Sequence, residues 1–297
     1  MAPRINGRTK LAGVIGWPLD HTLSPAMHNA AYDHMGLDAV YVPLPVPNEA
    51  ALVRVVSAIR VLPFLGFNVT MPFKQAMLGL CDEVAAQARL AGAVNTVHCS
   101  DGRLIGYNTD GRGLLESVAE ETGFSAEGKR IALLGAGGAA GAALVAMVVT
   151  RAARVAVVNR TKERAEELLA RVADHARTTE LVTVATDEAQ DEVSSADLVV
   201  NATPVGMNGS MEMVVPAGWL RPGQVVADMV YRPAVTPLLR AAVDAGAKAV
   251  GGLGMLVAQG AMSVDIWADA DGARAPRDVM RVAAEEGLGV QREGAGK

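Results

Sequence analysis

A glycine-rich segment between a strand and a helix constrains the fold of this chain more than any other stretch. The segment is IALLGAGGAAGAAL, residues 131–144, in which Gly135, Gly137 and Ala140 have the spacing G-x-G-x-x-G/A. The first glycine of this pattern permits a tight turn, the second lets a pyrophosphate approach the backbone, and the small third residue lets helix and strand pack closely. The segment predicts a dinucleotide site at a helix N-terminus, while the alternative is a strand–helix turn that binds no ligand.

The next predicted strand indicates which dinucleotide binds. A site for NAD usually has Asp or Glu at the end of this strand, about 20 residues after the glycines, to bind a ribose hydroxyl. Here the strand RVAVVN ends in Asn159 and is followed by Arg160, Thr161 and Arg164. These side chains can donate charge-assisted hydrogen bonds to a 2′-phosphate. The alternative is a basic helix start without a ligand, but positive charge there opposes the helix dipole, so NADP is favoured over NAD.

Strands and helices alternate along the whole sequence. Apolar residues recur at helical spacing in TKERAEELLARVADHA, residues 161–176, whereas the run VAVVN lacks a polar face, as do strands covered on both sides. The alternation predicts an α/β fold with parallel sheets and helices on both faces. A polar segment at 119–130 indicates a border between two α/β units, and glycines at 250–255 precede a final helical region. The predicted strands are 11–16, 39–46, 64–70, 93–99, 131–137, 154–159, 181–186, 198–203 and 225–231.

Composition and charge argue against several classes of function. The chain has 297 residues, a net charge of −5 and a hydrophobic fraction of 51%. These values predict a soluble globular protein with no nucleic-acid or acidic-membrane partner. Only two cysteines occur, which predicts reduced thiols and a cytoplasmic location. No secretory signal is recognisable, and the longest apolar run, residues 135–149, is too short to span a bilayer. The spacing of His21, His28 and His34 fits no metal site.

The stretch GFNVTMPFK, residues 66–74, places polar side chains at the end of a strand that reads as buried. Asn68 and Thr70 alternate with apolar residues until Pro72, and Lys74 follows just beyond the strand. A lysine at this position can protonate the alkoxide that forms when a hydride is transferred to a carbonyl group. The alternative is a solvated surface lysine.

Three further polar segments lie at predicted strand ends. Thr22 and Ser24 precede a helix opened by proline; their hydroxyls can bind a carboxylate, or Ser24 alone can cap the helix. Asn95 lies in the apolar segment AGAVNT. Asp110 precedes the helix GLLESVAE, where it can orient Lys74 by hydrogen bonding or act as a cap. Together these segments offer the groups with which a hydride-transfer enzyme would bind a polyol acid and move a proton.

Nine ordered segments of the sequence resemble the shikimate dehydrogenase family, along nearly the whole chain. The resemblance implies NADPH-dependent, reversible reduction of 3-dehydroshikimate to shikimate, on the route to chorismate and the aromatic amino acids. It also implies two α/β domains that flank a cleft. The N-terminal substrate domain, residues 1–110 with a mostly parallel sheet, would be completed by C-terminal helices at 253–297, and residues 111–252 would form a Rossmann-like NADP-binding domain. The segments are GVIGWPLDHTLSPAMHNAA, GFNVTMPFK, AGAVNT, YNTDG, LLGAGGAAGA, VVNRTKERA, NATPVGM, DMVYRPAVTPLL and GLGMLVAQGAMSVDIW.

The resemblance also implies roles for the residues that match the family's motifs. Lys74 and Asp110 match the catalytic pair for proton transfer. The residues that match substrate contacts are Thr22, Ser24, Asn68, Thr70, Asn95, Tyr231 and Gln259. The residues that match cofactor contacts are Gly135, Ala136, Gly137, Gly138, Ala139, Asn159, Arg160, Thr161, Arg164, Thr203, Met229, Gly252 and Met255.

One residue departs from the family pattern. The family usually has serine at the position of Thr22, and the additional methyl group predicts a changed carboxylate pocket, worth about 1–3 kcal/mol between related acids. The alternatives are therefore a quinate/shikimate dehydrogenase or a paralogue for a related cyclic polyol acid. A folate-type dehydrogenase would lack the HTLSP and AGAVNT segments, and a noncatalytic NADP-binding regulator would lack Lys74 or Asp110. The sequence leaves both a monomer and a homodimer open.

Overall fold

The computed structural model of the protein describes residues 5–268 and 274–289. The strands in these residues are β1 (Lys10–Gly16), β2 (Ala39–Pro45), β3 (Phe64–Val69), β4 (Glu83–Val84), β5 (Thr96–Ser100), β6 (Arg103–Tyr107), β7 (Arg130–Leu134), β8 (Arg154–Val158), β9 (Glu180–Val184), β10 (Leu198–Asn201), β11 (Val225–Asp228) and β12 (Lys248–Val250). The α-helices in the same residues are α1 (Ser24–Met35), α2 (Glu49–Ile59), α3 (Ala86–Ala91), α4 (Asp110–Thr122), α5 (Gly138–Val149), α6 (Lys162–Val172), α7 (Gln190–Ser195), α8 (Pro237–Asp244), α9 (Gly252–Trp267) and α10 (Arg277–Leu288).

The chain forms two compact units. Within the described ranges, the first unit comprises Met1–Ala85, Val94–Thr109 and Gln259–Lys297, and the second comprises Ala86–Ala93 and Asp110–Ala258.

These units differ in detail from the domain borders predicted from the sequence. Residues 86–93 group with the second unit because α3 packs against α5. Asp110 groups with it as the first residue of α4, which also packs against α5. The predicted range 253–297 includes residues 269–273 and 290–297, which lie outside the described residues.

The sheet of the first unit has the strand order β2-β1-β3-β5-β6-β4. β1 pairs in parallel with β2 and β3, whereas β5 pairs antiparallel with β3 and β6. The turn between β5 and β6 contains Asp101 and Gly102, with φ angles of 50° and 76°. Two-residue hairpin turns favour positive φ at both positions, and Asp-Gly is a preferred sequence for them. The hairpin brings Asn95, just before β5, to the end of β6, where its N–H donates to the carbonyl of Tyr107 at 3.0 Å.

The sheet of the second unit is parallel throughout its described strands, in the order β12-β11-β10-β7-β8-β9. Both of its faces are covered, since Ile131 and Leu133 of β7 belong to one apolar core and Ala132 and Leu134 to another. The chain runs outward from β7 to β9 and then returns to β10 on the other side of β7. Ligands of such sheets bind beyond the carboxyl ends of the strands at this reversal. The predicted α/β fold class is confirmed.

Candidate active site

Six polar side chains of the first unit form a hydrogen-bonded group, called here the amide–hydroxyl cluster. None of them is more than 8% exposed, so each needs a partner inside the protein to replace water. The members are Asn68 in β3, Asn95 and Thr96 at the start of β5, Thr109 after β6, and Gln259 and Ser263 in α9.

The side-chain amide of Asn68 is held in one orientation by this cluster. Its Nδ2 donates to the backbone carbonyl of Asn95 at 3.1 Å, to Thr96 Oγ1 at 3.1 Å and to Ser263 Oγ at 2.9 Å. A carbonyl can only accept a hydrogen bond, so this contact identifies the nitrogen. The hydroxyl of Tyr41 donates to Asn68 Oδ1 at 2.8 Å. Within the described residues no second donor to this oxygen is recorded, which leaves one lone pair able to accept a hydrogen bond from a ligand.

The amide of Asn95 is oriented by the same reasoning. Its Oδ1 accepts from the backbone N–H of Thr109 at 2.9 Å, which can only donate. Its Nδ2 donates to Thr109 Oγ1 at 2.9 Å and to Gln259 Oε1 at 3.3 Å. The cluster therefore brings together three of the residues predicted from the sequence, namely Asn68, Asn95 and Gln259.

Lys74 and Thr70 lie in the turn that follows β3. Both are half-buried. The methyl group of Thr70 lies so close to Gly16, at the end of β1, that a Cβ at Gly16 would overlap it. The carbonyl of Lys74 accepts from the N–H of Val94 at 2.8 Å, which ties this turn to the residue before Asn95.

Thr22 and Ser24 lie at the start of α1. The N-cap position is Leu23, without a side-chain cap, and Ser24 is the first residue of the helix. The alternative that Ser24 caps this helix is therefore wrong. Thr22 Oγ1 instead accepts from the N–H of Ser24 at 3.3 Å. Asp110 is the first residue of α4, directly after Thr109 in the chain, and is 4% exposed.

Ser263, Thr109 and Tyr41 support these contacts but were not predicted from the sequence as site residues. Ser263 lies four residues after Gln259 in α9, a spacing that places both side chains on one face of a helix. Thr109 belongs to the segment YNTDG, in which Asp110 alone was singled out. Tyr41 lies in β2, whose apolar pattern indicated burial but no hydrogen-bond partner for its hydroxyl.

The glycine-rich segment forms the turn between β7 and α5 in the second unit. Gly135 has a φ of +111°, which favours glycine, and a Cβ there would lie 2.9 Å from Thr203 Cγ2. Gly137 is exposed, and a Cβ there would meet no atom within 4 Å, so the backbone is open to a ligand. Ala140 is fully buried. The segment fits the dinucleotide pattern, and residues Gly135 to Ala139 can hold a pyrophosphate at the N-terminus of α5.

The residues after β8 form an exposed basic surface. Arg160, Thr161 and Arg164 are exposed, and Asn159 Nδ2 donates to the carbonyl of Thr161 at 2.7 Å. For neither guanidinium does the structure record an ion pair within the ranges it describes. The donor set therefore suits a 2′-phosphate, which can take bidentate hydrogen bonds from arginine.

The remaining predicted residues of the second unit lie after β10 and β11 and in α9. Thr203 follows β10, and Met229 follows β11. Gly252 begins α9, and a Cβ there would lie 2.5 Å from the carbonyl oxygen of Met229. Met255 is 8% exposed in the same helix. Tyr231 is half-buried, and burial raises the pKa of its hydroxyl.

The structure also bears on metal binding, membrane insertion and thiol chemistry. Among the described residues, no group of three or more His, Cys, Asp or Glu side chains could hold a metal ion. No helix in the described part of the chain is long and apolar enough to cross a membrane. Cys81 and Cys99 are free, and burial raises the pKa of each thiol to about 12, so both are poor nucleophiles at neutral pH.

Comparison with known proteins gives matches over most of the sequence. The family model for the shikimate dehydrogenase substrate binding domain matches residues 14–97, and the model for shikimate / quinate 5-dehydrogenase matches residues 117–222. A curated protein of Citrifermentans bemidjiense, named shikimate dehydrogenase (NADP(+)), is 45% identical over 90% of this chain and 92% of its own length.

Two crystal structures illustrate the similarity in three dimensions. A shikimate dehydrogenase in complex with NADP+ has a TM-score of 0.88 at 38% identity, covering 96% of this chain and 97% of its own. The shikimate 5-dehydrogenase of Thermus thermophilus, in complex with NADP(H) and shikimate, has a TM-score of 0.83 at 35% identity, covering 94% of this chain and 100% of its own. The chain thus belongs to the shikimate dehydrogenase family.

Proposed function

We propose that the protein is an NADP-dependent shikimate dehydrogenase that reversibly reduces 3-dehydroshikimate to shikimate. The observation that carries this proposal is the amide–hydroxyl cluster, because it assembles three of the residues that match the family's substrate contacts. The identity of 45% to a relative of that name, over most of both chains, supports the same reaction. The protein is accordingly an oxidoreductase of the route to chorismate and the aromatic amino acids.

The second unit supplies the residues that would bind the cofactor. When bound, NADP(H) supplies or accepts the hydride. The backbone amides at the start of α5 hold the pyrophosphate, and Gly137 leaves room for it. Arg160 and Arg164 hold the 2′-phosphate, which explains why the strand end lacks an acidic residue.

Polar residues predicted from the sequence would bind and protonate the substrate. The hydroxyls of Thr22 and Ser24 bind the carboxylate, and Asn68, Asn95, Thr70 and Gln259 bind ring hydroxyls. Lys74 donates a proton to the oxygen of the carbonyl group as it becomes an alkoxide, and Asp110 orients the ammonium group. Tyr231 is the remaining proposed substrate contact. A proton donor of this kind contributes roughly 10²–10⁴-fold in rate.

A quinate/shikimate dehydrogenase is the second candidate. Thr22 bears on this choice, because quinate carries a tertiary hydroxyl on the carbon that bears the carboxylate, next to the additional methyl group. One of the matching family models also covers both acids. The retained Lys74 and Asp110 support an enzyme over a noncatalytic NADP-binding regulator. Cytoplasmic location and the number of subunits stay predictions.

Initial rates with shikimate and quinate, each with NADP and NAD, test the reaction. We expect fast oxidation of shikimate with NADP, and a rate ratio in favour of quinate would establish the second candidate. The variant Lys74→Ala should lose roughly 10²–10⁴-fold in kcat because the proton donor is removed. It should still bind NADPH, since the residues proposed to hold the cofactor lie in the other unit.

The control for this variant is Lys10→Ala. Lys10 is exposed at the opposite end of the same sheet, at the N-terminal start of β1, so its removal should leave the rate unchanged. Near-normal turnover by Lys74→Ala would remove Lys74 from the mechanism. Absence of NADP-dependent oxidation of either acid by the unmodified protein would overturn the proposed function.

A further inference from the structure

A buried carboxylate lies at the end of β11 and accepts hydrogen bonds from three different segments. Asp228 is the last residue of this strand and is 1% exposed. Its Oδ2 accepts from Thr236 Oγ1 at 2.7 Å, and its Oδ1 accepts from Asn201 Nδ2 at 3.0 Å and from the N–H of Val230 at 3.0 Å. The carboxylate thus joins the start of α8, the end of β10 and the loop after β11.

The first connection leads to the glycine-rich turn. Asn201 Oδ1 accepts from both the N–H of Thr203, at 2.9 Å, and its hydroxyl, at 2.7 Å. These bonds fix the side chain of Thr203 beside Gly135, where a Cβ on the glycine would approach the threonine methyl group within 2.9 Å. Asp228 fixes the amide of Asn201, and Asn201 in turn fixes Thr203.

The second connection leads to the start of α9. The N–H of Met229 donates to the carbonyl of Asn201 at 3.0 Å, and the N–H of Gly252 donates to the carbonyl of Val230 at 3.3 Å. Thr203 and Met229, two of the predicted cofactor residues, therefore lie within two residues of Asn201 or Asp228. Gly252, a third, is bonded to Val230, whose own N–H is held by Asp228.

Burying a carboxylate at this position lowers the stability of the folded protein unless the lost water is compensated. Burial raises its pKa, while the three donors act in the opposite direction by stabilising the charged form. Within the described residues the structure records no ion pair for Asp228, so the donors themselves must compensate for lost water. Apolar packing would cost less if the three segments needed only to be buried.

We propose that Asp228 is a positioning residue for the cofactor, which holds Thr203 against the glycine-rich turn through Asn201 and fixes Met229 and the start of α9 through Asn201 and Val230. This inference rests on the proposed function, because it assumes that NADP(H) binds at the turn. The 2′-phosphate and adenosine are held elsewhere in the unit, beside Arg160 and Arg164. Asp228 therefore acts on the nicotinamide and pyrophosphate part of the cofactor and leaves the adenosine part unaffected.

Binding measurements with two ligands test whether Asp228 affects the nicotinamide and pyrophosphate part of the cofactor but not the adenosine part. One ligand is NADPH, titrated by fluorescence, and the other is adenosine 2′,5′-bisphosphate, which carries the 2′-phosphate but no nicotinamide. Asp228→Ala should raise the Kd of NADPH at least about tenfold, because buried donors lose their acceptor. It should leave the Kd of adenosine 2′,5′-bisphosphate within about twofold. Asp228→Asn should restore NADPH binding, since its oxygen still accepts two bonds and its amide can donate to Thr236 Oγ1.

The matched structural control is Gln224→Ala. Gln224 precedes β11 at its other end, is fully buried, and donates to the carbonyls of Val193 and Ala196 at 2.8 and 2.9 Å. Its loss should lower the melting temperature without changing the Kd of either ligand. Arg164→Ala is the reciprocal control, since it should weaken both ligands.

Several results would overturn the assignment. An unchanged Kd for NADPH in Asp228→Ala, or equal weakening of both ligands, would leave Asp228 with a merely structural role or none. Weakening of NADPH alone in Gln224→Ala would have the same meaning, because the loss of any buried hydrogen bonds near β11 would then produce the effect. If Asp228→Ala does not fold, Thr236→Val removes one donor to the carboxylate and should raise the Kd of NADPH alone by about fivefold. If the wild-type protein binds neither adenosine 2′,5′-bisphosphate nor NADPH, the proposed function itself is refuted.

Discussion

At the scale of single residues, the candidate site is defined mainly by buried polar side chains. Asn68 and Asn95 read in the sequence as isolated amides in apolar strands, and in the structure each has its orientation fixed by a backbone group that can only accept or only donate. An amide held in this way presents a defined donor or acceptor to a ligand without having to be reoriented.

His28 should make the stability of the protein depend on pH. The ring is fully buried and stacked on Tyr41, with centroids 4.0 Å apart, and Nε2 makes no hydrogen bond to the residues that the structure describes. Burial lowers its pKa from 6.5 to about 4, so the unfolded chain binds the proton more readily than the folded one. The contribution of neutral His28 to the free energy of unfolding is therefore complete above about pH 7 and is lost as the pH falls towards 4. About 2 kcal/mol is lost between pH 7.5 and pH 5.

Urea unfolding at these two pH values checks this prediction. The variant His28→Phe keeps an aromatic ring against Tyr41 but cannot be protonated, so it should lose about 2 kcal/mol less than the wild type on acidification. His34→Phe, at an exposed position of the same helix, controls for the substitution itself. Equal losses in the wild type and His28→Phe would mean that His28 does not resist protonation in the folded protein.

At the scale of elements, α5 is packed closely on two sides by other helices. A Cβ at Gly141 would overlap the carbonyl oxygen of Ala91 in α3, and a Cβ at Gly111 of α4 would overlap that of Ala142. The small residues of this helix therefore serve two purposes. The first ones leave open space at the N-terminus of the helix, where we propose that the pyrophosphate binds, and the later ones let neighbouring helices approach backbone to backbone.

Gly141→Ala should destabilise the protein although alanine favours helices. The gain in helix propensity is about 0.5–1 kcal/mol, whereas overpacking costs about 1–3 kcal/mol. Overpacking should win, because the obstructing atom belongs to the backbone of α3 and cannot rotate away. We expect a net loss of about 1 kcal/mol in the free energy of unfolding, measured with urea.

Gly287→Ala provides the comparison for this glycine. It also lies in a helix, but its Cβ would meet only the end of the Leu23 side chain, at 2.9 Å, which can move. Its stability should stay close to that of the wild type. A Gly141→Ala protein that is as stable as the wild type would show that α3 can shift to make room.

At the scale of the whole molecule, the chain completes the first unit with residues from near its C-terminal end. Trp267, the last residue of α9, is 5% exposed, and its Nε1 donates to the carbonyl of Val97 at 2.9 Å. Its ring occupies the space over Gly66, where a Cβ would overlap it. The same helix contributes Gln259 and Ser263 to the amide–hydroxyl cluster.

Trp267→Ala should therefore destabilise the protein by about 3–5 kcal/mol, the usual cost of removing a buried large aromatic side chain. Thermal and urea unfolding of the purified variant measure this loss. Trp17→Ala is the control, since Trp17 is 50% exposed and should cost less than about 1 kcal/mol. A similar loss for both variants would contradict a special contribution of α9 to the first unit.

The sequence by itself determined the features that depend on neighbouring residues. Gly135 predicted a tight turn, the alternation of apolar runs predicted the α/β class, and Arg160 with Arg164 predicted a basic segment after β8. The Asp101–Gly102 pair was a readable signal for a hairpin, although the alternation alone led to an expectation of parallel strands. Backbone preferences act over a few residues, so a local pattern is sufficient to reveal them.

Only the tertiary structure decided how the buried polar groups are paired. Asn68 donates to Ser263, which lies 195 residues further along the chain, and Asp228 is joined to Asn201 across two neighbouring strands. Such partners cannot be read from spacing, because they are set by the order in which strands pair and by where α9 packs. A buried donor must find an acceptor wherever the fold provides one, and only the completed fold specifies that position.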